Sequence, residues 1–197
     1  MKRITKKETE ILLRVFKDFS TDYNANSLSK QLDITPRGAL KILKSLKAQN
    51  LLVSKQMGKA VFYKINTHDE YALKLVSLLL MKEAQEKAAR WMAEFRDLAK
   101  ITEISIFFGS AVRNPAAAMD IDILLVFRKE RLKQVREFID EKNKILLKPI
   151  HPLIQTLADL KRNLKKKDPV IINAVRHGFV LYGHDSLIKE VKNVTSL

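Results

Sequence analysis

Residues 104–127 read ISIFFGSAVRNPAAAMDIDILLVF, and this stretch is the most informative about how the second half of the chain folds. Two apolar runs with strand character flank a Gly-Ser pair, nine further residues and the triplet Asp120-Ile121-Asp122. Because side chains alternate along a strand, Asp120 and Asp122 project from the same face, where a divalent cation relieves their repulsion. Backbone N–H groups at the Gly109-Ser110 turn suit a phosphate. The stretch therefore predicts a Mg²⁺–nucleotide site.

The sequence on either side of this stretch alternates between strand and helix patterns, which is typical of an α/β domain. We predict strands over residues 101–108, 121–127 and 179–182, with a further extended run over 145–154. We predict helices over residues 129–143, 156–166 and 168–177, the last beginning with Asp168 as N-cap and Pro169. Residues 101–197 are thus predicted to fold as an α/β domain with a small mixed sheet.

The first third of the chain predicts three helices followed by a β-hairpin. Apolar residues at helical spacing indicate helices over residues 8–19, 27–32 and 36–49. We expect Ser27 to cap the second helix and Thr35, followed by Pro36, to cap the third. Strand patterns over 51–56 and 60–65 flank Gly58, which marks the hairpin turn.

The third of these predicted helices has two contrasting faces. Its apolar stripe contains Leu40, Leu43 and Leu46, with Ala39 and Ile42 as further candidates, which predicts that this side packs in the core. Its other side carries Arg37, Lys41, Lys44, Ser45 and Lys47.

Positive charge is concentrated in the same part of the chain. The whole sequence has a formal net charge of +15, from 37 Lys and Arg against 22 Asp and Glu. Residues 1–65 carry 14 of the basic and 5 of the acidic residues. A basic module of this kind favours a polyanionic partner.

Residues 27–66, SLSKQLDITPRGALKILKSLKAQNLLVSKQMGKAVFYKIN, resemble winged helix-turn-helix transcription regulators. The resemblance implies a DNA-binding domain over residues 1–66, whose third helix enters the major groove. It implies that Thr35, Arg37, Lys41 and Lys44 face DNA, and that Lys55 and Lys59 lie on the wing. Winged helices also serve as protein-binding or RNA-binding modules, and that alternative stays open here.

Residues 67–100 are predicted to connect the two domains through helical structure. From residue 69 to residue 100 there is no Gly or Pro, which indicates one long helix or two helices with a bend. Residues 73–81 are apolar nearly all round, so we hypothesise a homodimer interface there, with packing inside one chain as the alternative. Trp91, Phe95 and Leu98 follow at helical spacing and are expected to pack on the C-terminal domain.

The motif Gly109-Ser110-x₉-Asp120-Ile121-Asp122, placed between two strands, is similar to the nucleotidyltransferase superfamily that includes DNA polymerase β, specifically to its minimal members. Residues 167–183, KDPVIINAVRHGFVLYG, resemble archaeal proteins that join a winged helix to such a domain. The resemblance implies that Gly109, Ser110 and Arg113 bind the nucleotide. It also implies that Asp120 and Asp122 bind Mg²⁺ and, in an active enzyme, are catalytic, with an NTP as ligand or substrate.

One feature of the resembled family is missing. Active members carry a third carboxylate on the next strand, whereas residues 145–154, ILLKPIHPLI, contain no Asp or Glu. Lys148 or His151 occupies that place, and Glu103 on the first strand is a further candidate for compensation. The missing acid argues against two-metal catalysis.

Two functions follow from these observations. The first is a DNA-binding regulator whose nucleotidyltransferase-like domain binds Mg²⁺–nucleotide or a protein partner, of which a toxin-type protein is one example by analogy. The second is an active enzyme that transfers a nucleoside monophosphate to a hydroxyl of a protein or nucleic acid. The chain has no Cys, no signal-peptide pattern and no apolar stretch of membrane-spanning length, so we expect a soluble, cytoplasmic protein without a membrane partner.

Overall fold

Residues 4–195, the part of the chain that the computed structural model describes, divide into two units. One unit extends to Leu79 and also includes Thr195, and the other comprises Leu80–Val194. The division falls inside a helix, α4 (Glu70–Lys87). The domain limits predicted at residues 66 and 100 stay predictions.

The first unit has the predicted order of three helices and a hairpin. Its elements are α1 (Lys6–Lys17), α2 (Ala25–Leu32), α3 (Pro36–Ala48), β1 (Leu52–Met57) and β2 (Ala60–Ile65). The strands pair antiparallel, with Leu52 opposite Ile65 and Met57 opposite Ala60. Gly58 makes the turn at a φ of 60°, a left-handed conformation that glycine adopts readily. This order of elements is that of a winged helix-turn-helix.

Helix caps in the first unit confirm one prediction and correct another. Thr35 caps α3, because its side chain accepts a hydrogen bond from the Gly38 amide at 3.0 Å. The cap of α2 is Asn24, so the prediction of Ser27 was wrong. Asn24 Oδ1 accepts from the Ser27 amide at 2.9 Å, and Ser27 Oγ accepts from the Asn24 amide at 3.0 Å. Ser27 is thus the third helical residue of a capping box rather than the cap itself.

The buried stripe of α3 is displaced by one residue from the predicted one. Leu43 and Leu46 are buried as expected, but Leu40 is 37% exposed. Ala39 is buried in its place, since residues 39, 43 and 46 are separated by four and three positions and share one face of a helix. The prediction that Leu40 packs in the core was wrong.

The predicted connecting helix is divided into three shorter ones. After α4, the chain forms α5 (Ala89–Glu94) and α6 (Leu98–Ile101). Ala88 separates α4 from α5, because its φ of −134° lies outside the helical range. Trp91 then stacks on Phe95 and also contacts Phe107, with ring centroids 5.7 and 4.9 Å apart. The structure thus has three helices where one long helix, or two with a bend, were predicted. The expected packing of Trp91, Phe95 and Leu98 on the C-terminal domain is confirmed.

The second unit is built on a four-stranded mixed sheet, as predicted. Its strands are β3 (Ile104–Phe108), β4 (Ile121–Val126), β5 (Ile150–Gln155) and β6 (Phe179–Tyr182), in the spatial order β5-β4-β3-β6. The β4–β5 pair is parallel, and β3 pairs antiparallel with both β4 and β6. Strand β4 is therefore paired on both sides, and the residues at its start lie between the end of β3 and the start of β5.

Helices complete the second unit. They are α7 (Ser110–Arg113), α8 (Leu132–Ile145), α9 (Leu157–Lys166), α10 (Pro169–His177) and α11 (His184–Thr195). The extended run predicted from residue 145 was wrong at its start, because α8 continues through Ile145 and β5 begins at Ile150. Alternate residues of β4, among them Ile123 and Leu125, pack in one apolar cluster with Phe95, which follows α5, and Val135 of α8. Within residues 4–195, no helix has the length and apolarity needed to cross a membrane.

Candidate cation site and nucleic-acid interface

The antiparallel register of β3 and β4 places the Gly-Ser turn directly beside the second aspartate. Phe108, the last residue of β3, pairs with Asp122, so Gly109 follows immediately next to that carboxylate. Gly109 has a φ of 81°, and a Cβ atom built on it would lie 1.8 Å from Asp122 Oδ2. Any larger residue would displace the carboxylate. Gly109 is thus required both by its backbone conformation and by the close approach of Asp122.

The parallel register of β4 and β5 adds a histidine to the same place. Asp122 is the register partner of His151, and His151 Nδ1 lies 3.1 Å from Asp122 Oδ1. Asp120, two residues earlier, completes the group: one ligand atom from each of the three side chains lies within 4.8 Å of the others. The Asp122 side chain is 20% exposed and that of His151 is 75% exposed. Three metal-ligating groups therefore gather at an accessible strand end.

The other two residues that could take the place of the missing carboxylate have different partners. Lys148 precedes β5, and its ammonium donates a hydrogen bond to the Pro115 carbonyl at 2.6 Å. Glu103 forms an ion pair with Arg128, whose Nε is 2.8 Å from Glu103 Oε1. Since Ile104 pairs with Val126, Glu103 lies at the opposite end of β3 from Gly109. His151 is the residue that lies opposite Asp122.

The remaining predicted nucleotide-binding residues follow Gly109. Ser110 begins α7 and is half-buried, and Arg113, at the end of that helix, is exposed. A helix of four residues has only a small dipole, so a phosphate here would depend on the Ser110 hydroxyl and nearby N–H groups. The nucleotide roles of Gly109, Ser110 and Arg113 stay predictions.

The three gathered side chains fit a divalent cation. Two carboxylates carry two negative charges, and a neutral imidazole adds a nitrogen donor without adding charge. Within residues 4–195, neither Asp120 nor Asp122 forms an ion pair with a Lys or Arg, although the chain contains 37 of these residues. Hard carboxylate oxygens suit Mg²⁺, whereas imidazole nitrogen suits first-row transition metals.

The predicted DNA-contacting residues of the first unit are all exposed. On α3, Arg37, Lys41 and Lys44 are exposed and recur after four and three residues, so they share one face of the helix. Thr35 is exposed as well, although its hydroxyl oxygen accepts the capping bond from Gly38. This arrangement presents a row of cations to solvent.

The hairpin of the first unit adds two further cations. Lys55 lies on β1 and Lys59 follows the turn glycine, and both are exposed. Lys47 at the end of α3 donates a hydrogen bond to Ser54 of β1 at 2.7 Å, which connects the helix to the hairpin. The positive surface of this unit therefore includes both α3 and the wing.

Sequence reasoning missed two features of potential functional importance. The first is the pairing of His151 with Asp122, which depends on the register between two strands and has no local signal. The second is Tyr71, which lies outside the interface predicted over residues 73–81 but shares an exposed face of α4 with Leu78, 61% exposed, and Met81. Their spacing of seven and three residues on one helix face could have indicated it.

Comparison with known proteins gives distant structural likenesses only. No protein-family model and no curated protein matches the chain. The adhesin competence repressor AdcR of Streptococcus pyogenes is similar at 15% identity with a TM-score of 0.37, over 71% of this chain and 79% of that one. Two variants of Lactococcus lactis ZitR give 16% and 15% identity with TM-scores of 0.34, over 72% and 73% of this chain and 75% of each of theirs. Likenesses of this strength carry no argument about function.

Proposed function

We propose that this protein is a DNA-binding, transcription-regulator-like protein whose second unit binds a divalent cation with a nucleotide. The observation that carries the DNA-binding part is the row of exposed cations on α3 and the wing of the winged helix. Helix α3 has the width and exposed face needed to enter a major groove. Arg37 can contact guanine through two hydrogen bonds, and Lys41 and Lys44 can neutralise phosphates.

The salt dependence of binding tests this part directly. The full chain is titrated against a fluorescent duplex DNA at several salt concentrations, and anisotropy is measured. We expect the logarithm of the association constant to fall linearly with the logarithm of salt concentration, with a slope of about −0.9 per neutralised phosphate. A flat response would contradict DNA binding. Stronger binding to an RNA duplex of the same length would favour the RNA-binding alternative.

We also propose that the protein acts as a homodimer through the exposed apolar face of α4. Support comes from Leu78, Tyr71 and Met81, which expose apolar surface on a helix whose other side, including Val76 and Leu80, is buried. Winged helices that read paired half-sites commonly bind as symmetric dimers. Sedimentation equilibrium of the wild type and of Leu78→Lys tests this. A wild-type monomer at micromolar concentration would remove the proposal.

For the second unit, we propose a nucleotidyltransferase-like domain with a cation and nucleotide site. Support comes from the antiparallel pair of β3 and β4. Gly109 and Ser110 follow the end of β3, and Asp120 and Asp122 lie at the start of β4. Asp120 and Asp122 would hold the cation, and Ser110 and Arg113 would contact phosphate. When bound, the cation would neutralise phosphate charge. Isothermal titration with Mg²⁺ and an NTP, on wild type and Asp122→Asn, tests this site.

The second candidate function is an active nucleotidyltransferase. The convergence of Asp120, Asp122 and His151 favours it, because three potential ligands remain despite the missing carboxylate. In that reaction an acceptor hydroxyl oxygen forms a bond to the α-phosphorus, loses its proton, and pyrophosphate leaves as the bond to the β-phosphate breaks. Such catalysis would depend mainly on positioning and charge neutralisation.

Label transfer separates the two candidates. The full chain is incubated with an α-labelled NTP, a divalent cation, duplex DNA and co-purifying proteins, with Asp122→Asn as the control. Transfer of label by the wild type alone would establish the enzyme. Nucleotide binding without transfer would establish the binding function. A toxin-type partner and a cytoplasmic location stay predictions, the first from resemblance and the second from composition.

A further inference from the structure

We propose that His151 is the third ligand of the cation site, and that its imidazole makes the site prefer Zn²⁺ and other first-row metals that bind imidazole to Mg²⁺. This inference rests on the cation site proposed above and names the class of metal that it binds. It begins from the parallel register of β4 and β5, which makes His151 the direct neighbour of Asp122 on one face of the sheet.

The distances suit a single ion. Two ligands that each lie about 2.1 Å from a metal are about 3.0–3.4 Å apart in octahedral or tetrahedral geometry. His151 Nδ1 and Asp122 Oδ1 are 3.1 Å apart, which falls within this range. The atoms of all three groups, including Asp120, lie within 4.8 Å of one another, so a small movement of the Asp120 side chain would complete the site.

The surroundings leave room for coordination at this point. The His151 side chain is largely exposed, so it can turn toward an ion without disturbing the core. Gly109 presents no Cβ to the Asp122 carboxylate, whose position would otherwise be blocked. The ammonium of Lys148 donates its hydrogen bond to the Pro115 carbonyl rather than to either aspartate. The donor set is therefore two carboxylates and one imidazole.

The chemistry of that donor set determines the preference. Mg²⁺ prefers oxygen ligands and keeps several waters, so a nitrogen ligand contributes little to its binding. Transition metals bind imidazole well, and carboxylates remain acceptable ligands for them. A site in which His151 replaces the oxygen ligand should therefore gain affinity for Zn²⁺ without gaining it for Mg²⁺.

Isothermal titration of the metal-stripped full chain with ZnCl₂ and with MgCl₂ tests the proposal. We expect wild type to bind Zn²⁺ at least about tenfold more tightly than Mg²⁺, and His151→Ala to lose about tenfold or more in Zn²⁺ affinity while Mg²⁺ affinity changes little. His151→Asp, which restores a third carboxylate, should reduce the ratio of Zn²⁺ to Mg²⁺ affinity. His68→Ala, at an exposed histidine of the first unit, is the matched control and should behave as wild type.

The outcomes distinguish this inference from the function on which it rests. Equal binding of both ions, unchanged by His151→Ala, would overturn the role of His151 and leave the cation site of Asp120 and Asp122 standing. Absence of binding of either ion to the wild type, or binding unchanged in Asp122→Asn, would overturn both. Because His151 is exposed, we expect its variants to fold, and thermal unfolding by circular dichroism checks this.

Discussion

The two units carry their candidate functional residues in different ways. In the first unit, the cations of α3 are separated by only a few residues along one helix, and the wing lysines follow soon after. In the second unit, Gly109, Asp122 and His151 come from three segments that only the sheet brings together. A surface built on one helix tolerates substitutions locally, whereas a site built across strands depends on every contact that sets their register.

The largest expected effects come from the cores of the two units. Phe95 and Leu43 are both fully buried, one in each unit. Phe95→Ala should lower the free energy of unfolding of the second unit by about 3–5 kcal/mol, and Leu43→Ala that of the first by about 2–5 kcal/mol. Trp91, the one tryptophan of the chain, stacks on Phe95, so its fluorescence reports unfolding of the second unit.

In denaturant titrations, Trp91 fluorescence and DNA binding should then each be affected mainly by a different variant. Phe95→Ala should shift the fluorescence transition, and Leu43→Ala should remove DNA binding first. Identical shifts of both signals in both variants would show that the two units unfold together, and would contradict their independent stability.

The next effect concerns two glycines in left-handed conformations. Gly109→Ala introduces a Cβ 1.8 Å from Asp122 Oδ2, whereas Gly58→Ala, in the hairpin turn, meets nothing within 4 Å. We expect Gly109→Ala to cost about 2–4 kcal/mol of stability, from the left-handed backbone and the overpacking together, and to abolish cation binding. Gly58→Ala should cost about 1–2 kcal/mol, from the backbone alone. Titration calorimetry measures cation binding, and urea unfolding measures the stability of each variant. Equal losses of stability in the two variants would refute the close approach of Asp122.

A smaller effect is expected from the cations of α3. Arg37→Ala should weaken DNA binding by about 1–3 kcal/mol, and the Lys41→Ala, Lys44→Ala double variant should reduce the magnitude of the salt slope by about 2. Lys133→Ala, which removes the same charge from an exposed position on α8, is the matched control. If all these variants weaken binding alike, only the net charge matters and α3 has no special role.

The smallest effect is the pH dependence that His184 contributes to the second unit. Burial lowers the pKa of His184 below its usual value of 6.5, and its Nε2 lies 2.9 Å from the Val180 carbonyl oxygen. The unfolded chain therefore binds a proton more readily than the folded one, so stability falls as pH drops below about 6.5. Unfolding of wild type and His184→Gln between pH 5 and 7 should show a shallower slope in the variant. Parallel profiles would contradict a role for this group.

Local signals in the sequence predicted much of the fold. Thr35 and Pro36 mark the start of α3, Gly58 marks the hairpin, and Asp168 and Pro169 mark the start of α10. These features depend on neighbours within four residues, which is the range that sequence patterns report. The helix over residues 184–195 was not predicted, and the run after residue 145 was assigned to the wrong element.

Two of the failures share a physical cause, because each depended on contacts between distant residues. Phe95 and Trp91 pack on Phe107 of the sheet, and the chain is interrupted at Ala88, where the sequence itself offers no helix breaker. Leu40 and Ala39 both suit an apolar face, and only the packing of α3 decides between them.

Sequence patterns were enough to predict the order of elements in the first unit, the basic face of α3, and the pair of aspartates beside the second strand of the sheet. These follow from side-chain periodicity and from caps and turns, which are local. The close approach of Gly109 to Asp122, and the position of His151 rather than Lys148 or Glu103 opposite Asp122, depend on the tertiary structure. The reason is register: alignment of strands far apart in the sequence is set by the packing of the whole sheet, and a shift of one residue would turn His151 to the other face.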